Sequence, residues 1–166
     1  MTDLAPRFGT VVPSPFGDMA VEYYGYYSGV VSCRPAGRGQ WSDFCRLDAA
    51  PPASSFLSEM AELLTLRNRM PEGWLPEHPV FPGLWRALWE IPLGETRSYS
   101  DICGRLGLPP RRYARAVAGV IGTNPLCLLI PCHRVIMSNG ELGGYRWGTE
   151  LKKKILDYEQ QLAGRH

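Results

Sequence analysis

Three prolines within ten residues, Pro71, Pro76 and Pro79, set the first constraint on how this chain can fold. Each fixes its own φ and disfavours helical geometry in the residue before it, so a helix cannot run through 70–79. This stretch reads as the boundary between two parts, residues 1–78 and 79–166. At 166 residues the chain suits one compact domain, or two small lobes sharing an interface.

The two parts are patterned differently. In the first, Pro13 to Gly17 reads as a turn, and Met19 to Tyr27 and Ser28 to Ser32 are rich in strand formers. Trp41 to Leu47 is a further candidate strand. Phe56 to Asn68 sets Leu57, Met60, Ala61 and Leu64 at a helical period. In the second part, Gly83 to Glu90 puts Leu84, Leu88 and Ile91 on one stripe beside Trp85 and Trp89. A helix from Ser98, capped by Ser98 or Ser100, stops at Gly107; a second follows from Arg111 to Ile121. A last helix starts at Thr149 or Glu150 and runs through Gln161. The expected fold is mixed α/β (α+β): a small sheet-plus-helix lobe packed on a mainly helical lobe. The helix pair around Leu108-Pro109-Pro110 reads as a helix-turn-helix or an ordinary helical hairpin.

The chemistry concentrates in one place. Leu126 to Ile130 is an apolar run with the length of a buried strand or extended segment, and Pro131 ends it. Cys132, His133 and Arg134 follow, offering a nucleophile, a base and a cation at the end of a rigid support. Met137 to Tyr145 is glycine-rich and long enough to fold back over Cys132. Lys152-Lys153-Lys154 reads as a solvated helix surface.

Charge is also uneven. From Arg97 onward there are eleven Lys and Arg against five Asp and Glu, a net of +6, whereas residues 1–96 carry seven and eleven, a net of −4. A basic C-terminal half suits a polyanion that touches only that half. Five cysteines without disulfide-like spacing point to a reducing interior. The start of the chain lacks a secretory pattern and no stretch has the length of a membrane span, so the expected location is cytoplasmic. Cys33, Cys45 and His78 are the only residues worth weighing as a zinc site, and their spacing fits no finger pattern; the expectation is no metal.

Several ordered motifs together resemble the O6-alkylguanine-DNA alkyltransferases. They are Gly94-Glu-Thr-Arg-Ser-Tyr-Ser, Ala114-Arg-Ala-Val, Asn124-Pro, Ile130-Pro-Cys-His-Arg-Val-Ile, Gly143-Gly-Tyr and Asp157-Tyr-Glu. The resemblance runs from about Phe81 to Glu159. It implies a single-use DNA repair methyltransferase in which Cys132 takes the alkyl group from O6 of guanine irreversibly, with O4-alkylthymine a further substrate. It implies no cofactor. His133, joined to the sulfur through water, and Glu159, orienting the imidazole, match the base and its partner. Tyr99 matches the tyrosine that crowds the backbone phosphate and hydrogen bonds the flipped base, and Asn124 a hinge asparagine.

The target atom lies inside the duplex, so the base must be flipped out. Arg115 matches the arginine that fills the vacated space. Arg111, Arg112, Ala114 and Ala116 belong to the helix that would lie in the minor groove of double-stranded DNA. The carbonyls of Cys132 and Val135 would read the guanine amino group, and Gly143, Tyr145 and Arg146 would line the alkyl pocket. The resemblance also implies a monomer, placed in the nucleus if the host is eukaryotic.

Tyr113 stands where many members carry alanine, Cys127 where proline or alanine is common, and Arg146-Trp147 where several have smaller residues. Two other readings remain at this point: a non-catalytic lesion-binding module of the alkyltransferase-like type, which carries another residue at the cysteine position, and a Cys-His hydrolase, which would turn over.

Overall fold

The computed structural model describes residues 7–24, 30–36, 54–66 and 71–164. Three strands, β1 (Arg7–Val12), β2 (Met19–Tyr24) and β3 (Val30–Pro35), form an antiparallel sheet in the order β1-β2-β3. A tight turn joins the first two, with Ser14 and Gly17 exchanging backbone hydrogen bonds of 3.1 and 3.2 Å. Gly17 sits at φ +107°, a conformation that side chains beyond glycine resist. Met19, Val21 and Tyr23 point into the core, as strand alternation requires. Helix α1 (Ser54–Leu64) buries Met60, Leu63 and Leu64. It ends earlier than Asn68 because Leu66 turns to φ +62°. The candidate strand Trp41 to Leu47 and Cys45 lie outside the described residues.

The second half is helical around a two-stranded junction. After a 3-10 turn at Glu72–Trp74 come α2 (Leu84–Trp89), β4 (Arg97–Ser98), α3 (Tyr99–Arg105), α4 (Pro110–Ile121), β5 (Val135–Ile136) and α5 (Thr149–Ala163). Ser98 caps α3 through a capping box: its hydroxyl accepts from Asp101 N, while the Asp101 carboxylate accepts from Ser98 N. Gly107 at φ +68° ends the turn of chain after α3, and Pro110 opens α4, where its missing N–H costs nothing. β4 and β5 pair in parallel, Arg97 with Val135 and Ser98 with Ile136. This pairing brings Tyr99, the first residue of α3, beside the Cys132 turn.

The run Leu126 to Ile130 corrects the expectation of a strand. All five residues are buried, but only Leu126 makes a bridge, to Cys33 of β3, and residues 127–129 form a turn. Leu128 lies at φ +69°, and Ile130 N donates to Leu126 O at 2.9 Å. Apolarity fixed the burial of this run; its backbone is set by a side chain, Asn124, described below. Cys33 N donates to Pro125 O and Cys127 N to Cys33 O, both at 2.8 Å, so the sheet is stitched to this turn. One hydrophobic cluster joins both halves, from Val12 and Met60 to Leu88, Val117 and Ile155.

Candidate active site

Asn124 follows the end of α4 and is buried to 1% exposure. Its Nδ2 donates to Ile130 O at 3.0 Å, to Leu126 O at 3.4 Å and to Cys132 Sγ at 3.0 Å, while its Oδ1 accepts from Leu126 N at 2.9 Å. One amide therefore closes the 126–130 turn and touches the sulfur that follows it. Cys132 opens a 3-10 turn, Cys132–Arg134, and forms part of the wall of a cavity of about 640 Å³. Tyr99, Ala114, Arg115, Met137, Gly143 and Tyr145 also line this cavity. The loop after β5 does fold back over Cys132. Gly143 is required there, since a Cβ would sit 3.1 Å from Met137 Cγ and its φ is +68°.

Behind the sulfur the site is wired by charge. His133 and Glu159 are both fully buried, and His133 Nε2 lies 2.7 Å from Glu159 Oε1. A carboxylate only accepts, so Nε2 carries the proton and Nδ1 keeps the lone pair. That Nδ1 is buried without a protein partner, leaving it the basic atom of the ring. Burial draws the His133 pKa down, against the pull of Glu159, which keeps the imidazole neutral. Burial alone would raise the Glu159 pKa; the His133 hydrogen bond and the Arg134 guanidinium overcome it and hold the carboxyl down to about 2. For Cys132, burial pushes the thiol up, opposed by Asn124, the charge of Lys152 and Tyr145. At rest the sulfur is a thiol that needs a base.

Two residues at the centre take roles that the sequence did not assign to them. Arg134 was expected to lend charge beside the sulfur. Instead its Nε and Nη2 donate to Glu159 at 2.7–3.0 Å and its Nη1 donates to Ile91 O at 2.6 Å. Lys152 corrects the expectation of a solvated lysine run, because it is fully buried while Lys153 and Lys154 are exposed. Its Nζ donates to Val135 O at 2.6 Å, to Leu142 O at 2.5 Å and, more weakly, to Gly144 O at 3.5 Å. It thereby ties the glycine-rich loop to α5, and burial draws its pKa down to about 8. The signal was available: Lys152, Ile155 and Glu159 recur at i, i+3 and i+7 on one helix face.

Residues 80–161 match the family described as "6-O-methylguanine DNA methyltransferase, DNA binding domain". The C-terminal half belongs to this family. An inducible methylated-DNA–protein-cysteine methyltransferase of Bacillus subtilis is 50% identical over 80 residues, 48% of this chain and 44% of that protein. A methylated-DNA–protein-cysteine methyltransferase from Mycobacterium bovis is 45% identical over 80 residues, 48% of this chain and 47% of that one. The chain thus spans less than half the length of these curated relatives. Over the whole fold, the crystal structure of the Mycobacterium tuberculosis O6-methylguanine methyltransferase superposes with a TM-score of 0.75 at 28% identity, covering 93% of each chain. The structure of that protein in complex with DNA gives 0.74.

Within this fold the sequence-marked residues divide. Cys132, His133, Glu159, Asn124 and Tyr99 come together around the sulfur. Val135 is buried, and its carbonyl already accepts from Lys152. Tyr145 and Arg146 line the cavity, and Arg146 Nη1 donates to Thr123 O at 3.4 Å. On α4, Ala114 and Arg115 reach the cavity, whereas Arg111, Arg112 and Ala116 are exposed beside it. Tyr113 packs against the core with Val117 and Val120 rather than on the cavity face. Trp147 is buried edge-on to Tyr145, ring centroids 5.3 Å apart. His78 Nδ1 accepts from Val80 N and Phe81 N, and the described residues contain no metal-binding cluster. No described helix is long and apolar enough to cross a membrane.

Proposed function

We propose that this protein repairs DNA by moving an alkyl group from O6 of guanine, or O4 of thymine, to Cys132 Sγ, once per molecule. The observation that carries this reading is a cysteine on a cavity wall, backed by a His133–Glu159 contact of 2.7 Å, inside the stretch that matches the family. In this reading His133 Nδ1 takes the Cys132 proton through a bridging water, and Glu159 steadies the imidazolium that forms. The thiolate then attacks the alkyl carbon, a C–S bond forms and the C–O bond breaks. The electron pair leaves with O6, and guanine regains its proton from the Tyr99 side of the cavity. No step requires a metal or cofactor. The product thioether does not revert, so the protein is consumed.

The cavity admits a base only if the nucleotide leaves the stack. Arg115 would occupy the gap, with Ala114 and Ala116 letting α4 approach the minor groove and Arg111 and Arg112 meeting phosphates. In this role α3 and α4 act as a helix-turn-helix, on a monomer, in the cytoplasm or nucleus. The Cys132 and Val135 carbonyls would face the guanine amino group. Val135 O keeps a second lone pair for this beyond its Lys152 bond. Tyr145 and the Arg146 amide would bound the alkyl group, with Gly143 allowing the loop to close. Residues 1–78 serve as scaffold and 79–166 carry DNA binding and the acceptor.

Peptide mass mapping after mixing with duplex DNA containing O6-methylguanine tests the proposal. One methyl should appear on the peptide carrying Cys132 and be missing in Cys132→Ser. Binding with no mass gain would favour a lesion-binding module instead.

A further inference from the structure

Glu159 is gripped on both carboxylate oxygens. Oε1 accepts from His133 Nε2 at 2.7 Å and from Arg134 Nη2 and Nε at 2.7 and 3.0 Å. Oε2 accepts from Arg134 Nε at 3.0 Å and, across a longer 3.5 Å, from the backbone N–H of Gly94. Gly94 belongs to the turn between α2 and β4, which Glu95 N closes by donating to Pro92 O at 3.1 Å. Gln160 Nε2 donates to Gly94 O at 2.6 Å, and Arg134 Nη1 donates to Ile91 O at 2.6 Å. The groups that fasten this turn are therefore Glu159, its chain neighbour Gln160 and its ion-pair partner Arg134.

The contact demands glycine twice over. Gly94 lies at φ +77°, the left-handed value that the third residue of a type II turn requires. A Cβ there would also sit 2.8 Å from Ala163 Cβ and 3.7 Å from Glu159 O. Ala163 Cβ is fixed to the backbone of α5 and cannot swing aside, so a side chain at 94 must push turn and helix apart. Gly17, Gly107 and Gly140 also have positive φ, yet a Cβ on any of them would meet nothing within 4 Å. Those glycines serve their turns alone, whereas Gly94 also serves a close approach to Glu159. At 3.5 Å its N–H lies beyond the usual hydrogen-bond range, so the turn acts mainly by confinement. The carboxylate cannot draw back from His133 on that side without meeting the Gly94 backbone.

We infer that Gly94 is a positioning residue for the reaction: by letting the turn lie against α5, it keeps the Glu159 carboxylate on His133 Nε2. This rests on the reading of His133 and Glu159 as the base and its orienting partner.

The test uses the full chain and two readouts. One is the single-turnover rate of methyl transfer from duplex DNA containing O6-methylguanine. The other is the His133 Nε2–H proton in NMR spectra of histidine-labelled protein, which is shifted downfield and exchanges slowly with water while the carboxylate holds it. Gly94→Ala should slow transfer about tenfold or more, as small misplacements of a reacting group do, and hasten exchange of that proton. Adding Ala163→Gly removes the atom that the new Cβ strikes, and should restore most of both. Ala163→Gly alone should match wild type. The φ strain persists in the double variant, so recovery assigns the loss to the displaced helix. Wild-type behaviour of Gly94→Ala in either readout, or a loss that Ala163→Gly does not relieve, overturns the inference. Should Gly94→Ala fail to fold, the exposed Gln160 decides. Gln160→Met removes the donor to Gly94 O and should change both readouts about two- to fivefold, the range of one hydrogen bond. Gln160→Lys supplies a donor again and should recover them. Gln160→Met indistinguishable from wild type overturns the inference. If Gly94→Ala loosens the His133 proton and Ala163→Gly restores it in a protein that transfers no methyl, the proposed function falls and this positioning stands.

Discussion

The two sides of Cys132 are built on opposite principles. Behind it, Asn124, His133, Arg134, Lys152 and Glu159 are all buried and held by hydrogen bonds or charge. In front, Arg111, Arg112 and Arg115 stand exposed on α4, and small residues line the wall between them. Buried charges must be paired, because each one left alone costs several kcal/mol. Exposed arginines carry little stability and remain free to meet phosphate. The chemical side is therefore fixed before any substrate arrives, while the binding side stays solvated until it does.

The sharpest way to break this comparison is Glu159→Gln. It leaves the Arg134 guanidinium buried without its anion, so thermal or urea unfolding should show a loss of about 3–5 kcal/mol. Transfer should fall at least about a hundredfold as His133 loses its orienting partner. The pH dependence has a definite sign. The Glu159 pKa is depressed in the fold to about 2, so the stability it contributes is complete above the ordinary carboxylate range and is lost as pH falls toward 2. Glu159→Gln should flatten that acid limb.

Asn124→Ala comes next. It strips the donor from Ile130 O and the acceptor from Leu126 N, and should cost about 2–3 kcal/mol in unfolding experiments. It should also raise the Cys132 pKa, visible as slower thiol modification at neutral pH.

Lys152→Met gives a smaller effect, with the same sign in pH but in the alkaline range. Its folded pKa, about 8, lies below the unfolded value, so the unfolded chain binds the extra proton between the two and wild-type stability rises with pH there. The difference between wild type and Lys152→Met should grow by up to about 2 kcal/mol from pH 8 to 10.5. A constant difference would show that the Lys152 pKa is the same in the folded and unfolded chain.

Arg115→Ala should change stability least, within about 0.5 kcal/mol. It should slow transfer from duplex DNA about tenfold or more while leaving reaction with free alkylated guanine unchanged. Equal losses on both substrates would remove Arg115 from base extrusion.

What the sequence revealed follows the same division. Helices α3 and α4 were legible because their caps, prolines and glycines are local signals. The grouping of His133 with Glu159 came from the resemblance, since the two are far apart in the chain and only the fold closes them. Strand β1 was missed: Arg7–Val12 has a glycine at its centre and becomes a strand by pairing with β2. The 126–130 run was read as extended because apolarity reports burial, not backbone, and the Asn124 amide bends it into a turn. Lys152 was hidden by its two solvated neighbours, although its register with Glu159 placed it inward.

The central claim is that one sulfur is spent for each lesion removed. It is tested most directly by counting lesions repaired when O6-methylguanine duplex is supplied in excess. The account predicts a plateau at one lesion per protein molecule, matched by one methyl on Cys132. Continued repair beyond that plateau, or repair without a gain in protein mass, would contradict it.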